Sequence, residues 1–499
     1  MLNVQEGVFL ITGFGAVLLF CVWYVHKRKG TKTDAFLIAN RNVSTIRGAL
    51  SIAAAWIWAP AVFICCQKAY EQGIAGVFWF TAPNILCFFV FAPFAVRLRK
   101  YFPNGYSLPD FIYYRYKNKS LHLASLLVYM GYQLGAIIIN CTAGGILLSL
   151  LTALPYMVSV LLMAGVALSY TLISGLRASV LTDVIQMILI LSIAFVLVPW
   201  VTITSGGFHM IKDHIGGVTG EYKDVFNPTV AFGFGIASTI GLISGPFADQ
   251  MFYQRTFAVK KNSVRKVFIY GGLIFGVVPI MLSVLGFVAA GSPGIIAEVN
   301  RNPGVNAQMV GPIAIGYYLP KWALMAHAVL CFSGLSSTLD SSFCAISSLA
   351  TVDIYKRYIN PDAAIETLLK VGRFSMLLLG AIGVAVALLQ PKLIWVFLIY
   401  GALASAAFFP AFLSIYWKRL TAKAAMWAIL LSILLGTPLS IYANIKDDAT
   451  LIVISAVASI SIGLVVCLLF GLNNKNSYDF DNLKNEEVWS TKEHLQEAR

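Results

Sequence analysis

Long apolar runs without alternating polarity constrain this chain more than any other feature of its sequence. Residues 8–24, 180–201 and 451–472 are three such runs. A membrane-spanning helix needs about 20 apolar residues, whereas a strand of a membrane barrel has about 10 residues that alternate in polarity. The chain is also 59% hydrophobic and only 12% charged, about half the charge of a soluble domain. The sequence therefore excludes a soluble globular protein and predicts an all-α polytopic membrane protein.

Thirteen apolar spans can be assigned, and they follow a regular order. They are residues 7–25, 48–66, 76–96, 122–152, 155–174, 180–203, 231–251, 267–290, 312–345, 374–390, 393–416, 424–443 and 450–471. An extra first helix (7–25) precedes one group of five spans (48–203) and a second group of five (231–416). Two further helices (424–471) and a polar tail (472–499), which we expect to be poorly ordered, complete the chain. We interpret residues 1–499 as a single transmembrane domain.

The distribution of basic residues orients these spans. The chain has a net charge of +14, from 36 Lys and Arg against 22 Asp and Glu. With the amino terminus outside, only seven basic residues fall in outside segments, namely Lys68, Lys212, Lys223, Arg301, Lys321, Lys392 and Lys446. Because short cytoplasmic loops hold most Lys and Arg, we predict a multi-pass protein of the cell membrane with a cytoplasmic carboxyl terminus. The basic excess then indicates contact with anionic membrane lipid and no nucleic-acid partner.

The two groups of five spans predict an inverted repeat. Five is an odd number, so the groups cross the membrane in opposite directions, as in transporters whose site lies at the midplane between discontinuous helices. The first helix of each group is interrupted, by Pro60 in one and by Gly245-Pro246 in the other. Proline removes a helix hydrogen bond and frees a carbonyl group, which a bilayer tolerates only beside a cavity or a partner. We therefore expect a binding site between these two helices.

Several segments resemble the sodium:solute symporter family. Residues 175–186, which contain a Thr-Asp pair and a following Gln, are similar to the fifth core helix of that family. Residues 337–342 read Ser-Thr-Leu-Asp-Ser-Ser and, with the segment up to 356, resemble its eighth core helix. Residues 249–255 and 417–419 are similar to the ends of its sixth and tenth. The resemblance covers nearly the whole chain and implies a LeuT-type 5+5 inverted repeat, preceded by one helix and followed by two.

Two further segments are similar to the urea active transporters within that family. Residues 53–59 read Ala-Ala-Ala-Trp-Ile-Trp-Ala, and residues 70–79 hold Tyr, two Gly and Phe-Trp in the spacing typical of that branch. The chain departs from the pattern at Ala53, where the branch has Ser, and at Ser174, where the family usually has Gly. Urea transport is therefore one of the activities that the resemblance implies.

The resemblance also implies a sodium site shared by the two groups. Its ligands would be three main-chain oxygens and two hydroxyl groups, those of Ala54, Ile57, Gly334, Ser337 and Thr338. The residues agree with this implication, because carbonyl and hydroxyl oxygens can replace the hydration shell of a cation. The spacing i, i+3, i+4 places Gly334, Ser337 and Thr338 on one helix face.

Three of the 22 acidic residues fall within the assigned spans: Asp183, Asp249 and Asp340. An ionisable residue inside the membrane is a functional hypothesis by default. We expect Asp249 to pair with the nearby Arg255. Our hypothesis for the other two is that Asp183, Asp340 and Ser341 form a second cation site or a protonatable relay.

The substrate site is predicted from the repeat alone, between the two interrupted helices. The candidates are Trp58, Ala59, Trp79, Gly245, Pro246 and Tyr400, with Gln133 and Asn140 as further polar groups. Neither an acidic nor a basic side chain is expected at that depth. This favours a small polar solute, which could be urea-like, a sugar or an amino acid.

Together these features predict a secondary active transporter that couples sodium symport to solute uptake by alternating access. The ligands expected are a sodium ion and a small polar solute, and no obligatory protein partner is predicted. The chain shows no set of nucleophile, base and metal ligands, so we do not expect an enzyme. Two alternatives remain: a proton-coupled symporter that uses Asp183 and Asp340, and, from a different class, a solute channel or a membrane sensor module.

Overall fold

The computed structural model describes residues 2–29 and 33–484, and these residues are almost entirely helical. The one β-bridge in this part of the chain joins Val43 to Val259. The helices are α1 (Val4–Lys29), α2 (Thr33–Ile38), α3 (Thr45–Ala55), α4 (Cys65–Tyr101), α5 (Leu108–Tyr116), α6 (Lys119–Thr152), α7 (Tyr156–Ser174), α8 (Leu176–Thr204), α9 (Phe208–Asp213), α10 (Pro228–Val230), α11 (Ile236–Ala248), α12 (Gln250–Ala258), α13 (Val264–Ala290), α14 (Pro293–Arg301), α15 (Pro303–Asn306), α16 (Val310–Tyr318), α17 (Lys321–Ser348), α18 (Ile365–Ala387), α19 (Leu393–Tyr416), α20 (Ala422–Leu431), α21 (Thr437–Lys446) and α22 (Ala449–Leu472). Short turns of tighter or wider helix extend several of them, at Ala39–Arg41, Pro60–Ile64, Ala231–Gly235, Lys261–Ser263, Ala307–Met309, Leu349–Ile359, Ser432–Gly436 and Phe480–Lys484.

Twelve helices of the described chain are long and apolar enough to cross a membrane. The remaining predicted crossing, which is the second along the chain, is divided into two pieces. Its first piece, α3, is a short apolar helix, and the chain becomes helical again near Pro60. Helix α4 then bends at Gly73, which has φ +53°. The segments before and after this bend correspond to the second and third predicted spans. The predicted all-α, thirteen-helix plan is thus confirmed.

The first helix of each group is broken, as the sequence predicts. In the first group α3 ends at Ala55, and residues 56–59 form a short strip before Pro60 that is non-helical at 56–58. In the second group α11 continues through Pro246 and ends at Ala248. The break falls at Asp249, three residues later than the Gly-Pro pair, because the Asp249 side chain accepts the Met251 N–H and so begins α12.

Helix α17 is the centre of the bundle. It packs against α3, α6, α7 and α8. In its most apolar stretch 78% of the residues are buried, which is the highest share among the twelve long helices described. Helices α1 and α18 are 28% buried and face outward. Buried hydroxyl groups need hydrogen-bond partners. Ser333 and Ser342 of α17 bond carbonyl groups of their own helix, whereas Ser337 and Thr338 bond groups on other helices.

The expectation of a poorly ordered tail is wrong for residues 473–484. Phe480 and Leu483 are 2% and 1% exposed. The Phe480 ring lies 5.2 Å from the Tyr101 ring, and the Arg115 guanidinium lies 5.0 Å above it. This segment therefore packs against the ends of α4 and α5, because it carries two large apolar side chains among polar ones. Residues 485–499 of the predicted tail lie outside the described residues.

We predict that Gly175→Ala destabilises the protein at the turn between α7 and α8. Gly175 has φ +56° and ψ −137°, and a Cβ atom there would lie 2.4 Å from the Phe36 carbonyl oxygen. The cost is about 1–3 kcal/mol, measured as a lower apparent melting temperature in detergent. The control is Gly165→Ala in α7, where a Cβ atom would meet nothing within 4 Å. Equal melting temperatures for the two variants would contradict the prediction.

Candidate functional site

Local hydrogen bonds and one side chain pair several backbone groups in and beside the strip at residues 56–59. The Ile57 N–H donates to the Ala54 carbonyl (3.0 Å) and the Ala61 N–H donates to the Trp58 carbonyl (2.9 Å). The Ala59 N–H donates to Asn140 Oδ1 on α6 (2.9 Å). Since unpaired backbone groups are costly away from water, these bonds make the interruption a defined conformation.

The residues of the predicted sodium site converge on this strip. Thr338 Oγ1 donates to the Ala55 carbonyl (3.0 Å), and a Cβ atom on Gly334 would lie 2.8 Å from the Ile57 carbonyl oxygen. Only glycine therefore allows α17 to approach the strip so closely. With Ala54 and Ser337, these residues are buried and present the carbonyl and hydroxyl oxygens that suit a sodium ion.

Asp183 on α8 lies directly behind Ser337. Ser337 Oγ donates to Asp183 Oδ1 (2.6 Å), and Ser51 Oγ on α3 donates to Oδ2 (2.5 Å). Arg255 Nη2 on α12 donates to the same Oδ2 atom (2.9 Å). One carboxylate thus joins helices of both repeats beside the predicted sodium site.

Asp340, one turn further along α17, has a separate set of donors. Its carboxylate accepts hydrogen bonds from Ser179 (2.6 Å), Tyr170 (2.8 Å) and Thr182 (3.2 Å). Ser341 Oγ lies 3.3 Å from the same carboxylate. Asp340 and all four of these neighbouring residues are 0% exposed. The predicted second-site residues therefore form one buried cluster with Asp183.

The expected ion pair between Asp249 and Arg255 is wrong. Arg255 Nη2 instead bonds Asp183, Ser341 (2.7 Å) and Ser179 (3.2 Å), and its side chain is 1% exposed. Asp249 begins α12 and Arg255 lies further along the same helix, so the two side chains leave it toward different neighbours. The cluster consequently holds two carboxylates, Asp183 and Asp340, but one guanidinium.

A cavity lies between the broken helix α11, helix α19 and the 56–59 strip. Its lining includes Trp58, Tyr132, Ser238, Phe397 and Tyr400. The Tyr132 and Tyr400 rings stack with centroids 3.7 Å apart, and Trp58 lies 5.4 Å from Tyr400. The remaining lining groups are small or aliphatic: Ala237, Gly241, Leu242, Leu398 and Gly401.

The backbones of α11 and α19 touch at this cavity. A Cβ atom on Gly241 would lie 2.9 Å from the Gly401 Cα atom. Both residues line the cavity. Side chains at either position would therefore force the two helices apart and change the shape of the cavity.

Of the six predicted substrate residues, only Trp58 and Tyr400 line the cavity. Ala59 is engaged through its backbone N–H. A Cβ atom on Gly245 would lie 2.9 Å from both Trp56 and the Tyr132 hydroxyl oxygen, so this glycine sits behind the lining residues. Trp79 packs against Gly235 at the start of α11. Pro246 is buried within α11.

Gln133 and Asp249 form a polar pair next to the lining residue Tyr132. Gln133 Nε2 donates to Asp249 Oδ1 (2.9 Å). Within the described chain, Asp249 Oδ2, Gln133 Oε1 and the Trp58 indole N–H have no hydrogen-bond partner, although all three are buried. Such groups are costly unless something satisfies them, so they mark a place where a polar molecule can bind.

Sequence reasoning missed the residues that organise these groups. Three of them, Ser51, Tyr132 and Tyr170, contact predicted site residues without belonging to a recognised segment. Ser179 lies within the recognised segment 175–186 but was assigned no role. Ser179 and Asp183 are spaced i, i+4 on α8, which was a usable signal that they share a face. No comparable signal marks Tyr170, since aromatic residues in apolar spans usually only pack.

The chain is similar in sequence to known proteins. A model described as the sodium:solute symporter family matches residues 36–432. The urea-proton symporter DUR3 of Oryza sativa subsp. japonica is 25% identical over 85% of this chain and 64% of its own length. The sodium/glucose cotransporter of Vibrio parahaemolyticus is 26% identical over 87% of this chain and 86% of its own. This chain thus spans less than two thirds of the rice relative.

The fold also has a solved counterpart. The substrate-bound, outward-open structure of a Na⁺-coupled sialic acid symporter superposes with a TM-score of 0.72 at 19% identity, and the match covers 93% of this chain and 98% of that one. At this identity the likeness establishes the fold, which is the LeuT-like arrangement expected from the inverted repeat.

We predict that the buried pair of Asp183 and Arg255 behaves as one unit in stability measurements. Arg255→Gln leaves Asp183 without its cation, and breaking a buried pair in this way costs about 3–5 kcal/mol. The double variant Asp183→Asn with Arg255→Gln is expected to recover part of that loss, because neither charge is then left alone. The measurement is the apparent melting temperature and monodisperse yield in detergent. Additive effects of the two substitutions would contradict the prediction.

Proposed function

The chain belongs to the sodium:solute symporter family, and on that premise we propose that it is a secondary active transporter for symport of sodium with a small polar solute. The observation that carries the proposal is the meeting of the 56–59 strip with Gly334, Ser337 and Thr338 on α17. Such a meeting would supply carbonyl and hydroxyl oxygens from both repeats to one buried position. We further propose that the chain lies in the cell membrane with its amino terminus outside and its carboxyl terminus in the cytoplasm.

In this proposal sodium has a direct mechanical role. The ion would be held by carbonyl oxygens of Ala54, Ile57 and Gly334 and by the hydroxyl groups of Ser337 and Thr338, so it would fasten the broken helix of repeat one to α17 of repeat two. An ion that binds one conformation better shifts the population toward it. We propose that sodium favours the outward-open state and so prepares the cavity for the solute.

Aromatic side chains would then close the path around the bound solute. Phe247 and Phe252 flank the second break, where Phe247 lies 4.7 Å from Phe408 and Phe252 lies 4.9 Å from Trp56, measured between ring centroids. On the other side Trp58 and the stacked Tyr400 cover the cavity. Alternating access requires that these two layers open in turn.

Polar groups in and near the cavity favour a solute that both donates and accepts hydrogen bonds. Asp249 Oδ2 and Gln133 Oε1 are buried acceptors, and the Trp58 indole N–H is a buried donor. A small solute with several N–H groups and a carbonyl oxygen would satisfy all three. We therefore propose urea or a similar small amide as the preferred substrate, ahead of a sugar or an amino acid.

A specific observation supports a proton as a second coupling ion. The two carboxylates of Asp183 and Asp340 share one guanidinium, that of Arg255, in a fully buried cluster. A buried charge has to be paired or neutralised, so the cluster requires one more positive charge. We propose that Asp340 takes this charge as a proton or a second cation, with Ser341 beside it.

We predict that proteoliposomes containing this protein accumulate labelled urea only under an imposed sodium gradient. Ser337→Ala and Thr338→Ala should each raise the sodium concentration for half-maximal uptake by about tenfold, because one lost ligand costs about 1.4 kcal/mol. The matched control is Ser333→Ala, since the Ser333 hydroxyl bonds only the Val329 carbonyl of its own helix. A hexose and a neutral amino acid serve as comparison solutes. Uptake that is indifferent to sodium would refute the main proposal.

We predict that Asp340→Asn lowers the number of charges moved per solute by one and removes any stimulation of uptake by acid. The neutral side chain would no longer need a counter-charge, while its hydroxyl neighbours can still bond it. The measurement compares current with labelled uptake across a range of pH values. Asp353→Asn is the control, because that carboxylate is equally buried but pairs with His122. An unchanged ratio and pH profile in Asp340→Asn would refute the role of this cluster.

A further inference from the structure

The 56–59 strip carries groups that belong to both ligand sites. The Ile57 carbonyl oxygen faces Gly334, where a Cβ atom would come within 2.8 Å of it. The next residue, Trp58, lines the solute cavity. Because the two positions are adjacent in the chain, any movement of the strip that alters one site also alters the other.

Asn140 fixes this strip to α6. Its Oδ1 atom accepts the Ala59 N–H (2.9 Å) and its Nδ2 atom donates to the Ala136 carbonyl (2.7 Å). The side chain is 0% exposed. Both ends of the amide are therefore engaged with backbone groups, which fixes its orientation and leaves it unsuited to the solute-binding role considered from the sequence.

The opposite end of the strip is held by the other repeat. Thr338 Oγ1 donates to the Ala55 carbonyl, so residue 55 is attached to α17 and residue 59 to α6. Thr338 is also a proposed sodium ligand, whereas Asn140 is not, and its Oδ1 and Nδ2 atoms both bond backbone groups. The strip is thus held between one residue that would respond to sodium and one that stays fixed.

We propose that Asn140 is the positioning residue through which sodium binding is coupled to solute binding. The inference rests on the proposed sodium and solute sites. With Ala59 held in place, a change at Ile57 has to be passed to Trp58. Without that hydrogen bond the two residues can adjust separately, and the free energy that links the two ligands is lost, because linkage requires that both ligands favour the same arrangement.

The experiment measures equilibrium binding of labelled urea to the purified full-length protein at zero and at saturating sodium. In the unchanged protein, saturating sodium is expected to tighten urea binding by about tenfold, within the usual range of coupling. In Asn140→Ala the ratio of urea affinity at saturating sodium to that at zero sodium should fall below about twofold. Urea and sodium should each still bind to this variant. Asn140→Asp keeps the acceptor for the Ala59 N–H and should retain most of the ratio. Asn140→Ser keeps a polar group that is too short to reach the Ala59 N–H. It provides a second test if Asn140→Ala folds poorly, and sodium should likewise fail to tighten its binding of urea.

Asn84 provides a matched control. It is equally buried, its Nδ2 atom donates to the carbonyl four residues earlier, and its Oδ1 atom accepts the Trp56 indole N–H (3.1 Å). It therefore anchors a side chain of the same strip but not its backbone. Sodium should tighten urea binding to Asn84→Ala as much as it does in the unchanged protein. An undiminished ratio in both Asn140→Ala and Asn140→Ser would overturn this inference alone. A wild-type protein that binds urea without any response to sodium would overturn the proposed function and the inference with it.

Discussion

The need to pair every backbone polar group away from water governs this structure. Continuous helices meet it within themselves, and a break meets it only where another element supplies the missing partner. At the first break that partner is Asn140 on α6, with Thr338 on α17 bonding the preceding carbonyl. At the second break Asp249 supplies it by beginning α12. The candidate sites lie where these partners converge, since a segment that must be held from outside also exposes its carbonyl oxygens to a ligand.

The features that the sequence could predict are those set by short stretches of chain. Apolar length gave the spans and their number, and the proline-containing interruptions located both broken helices to within three residues. The spacing of Gly334, Ser337 and Thr338 placed them on one face because helical periodicity is a local property. The buried cluster of Asp183 and Asp340 was also accessible, because carboxylates are rare in membrane spans.

The features that the sequence could not predict depend on how helices are rotated against each other. Arg255 is six residues from Asp249 yet pairs with Asp183, 72 positions away. All residues of α12 are buried, so its sequence has no polar face to indicate which side meets which neighbour. Asn140 was read as a solute ligand for the same reason. The packing of Phe480 against α4 and α5 escaped notice because its flanking residues are polar.

The contact between Gly241 and Gly401 has a consequence for motion. Helices that interlock through side chains resist displacement, because each knob has to leave its hole before the helices can slide. At this point α11 and α19 meet backbone to backbone, whereas nearer the end of α11 the Phe247 and Phe408 rings hold the same two helices together, with centroids 4.7 Å apart. The resistance to displacement therefore differs along the pair, and it is lowest at the two glycines. A relative movement of α11 and α19 would pivot about the glycine contact and change the two ends of the cavity in opposite senses.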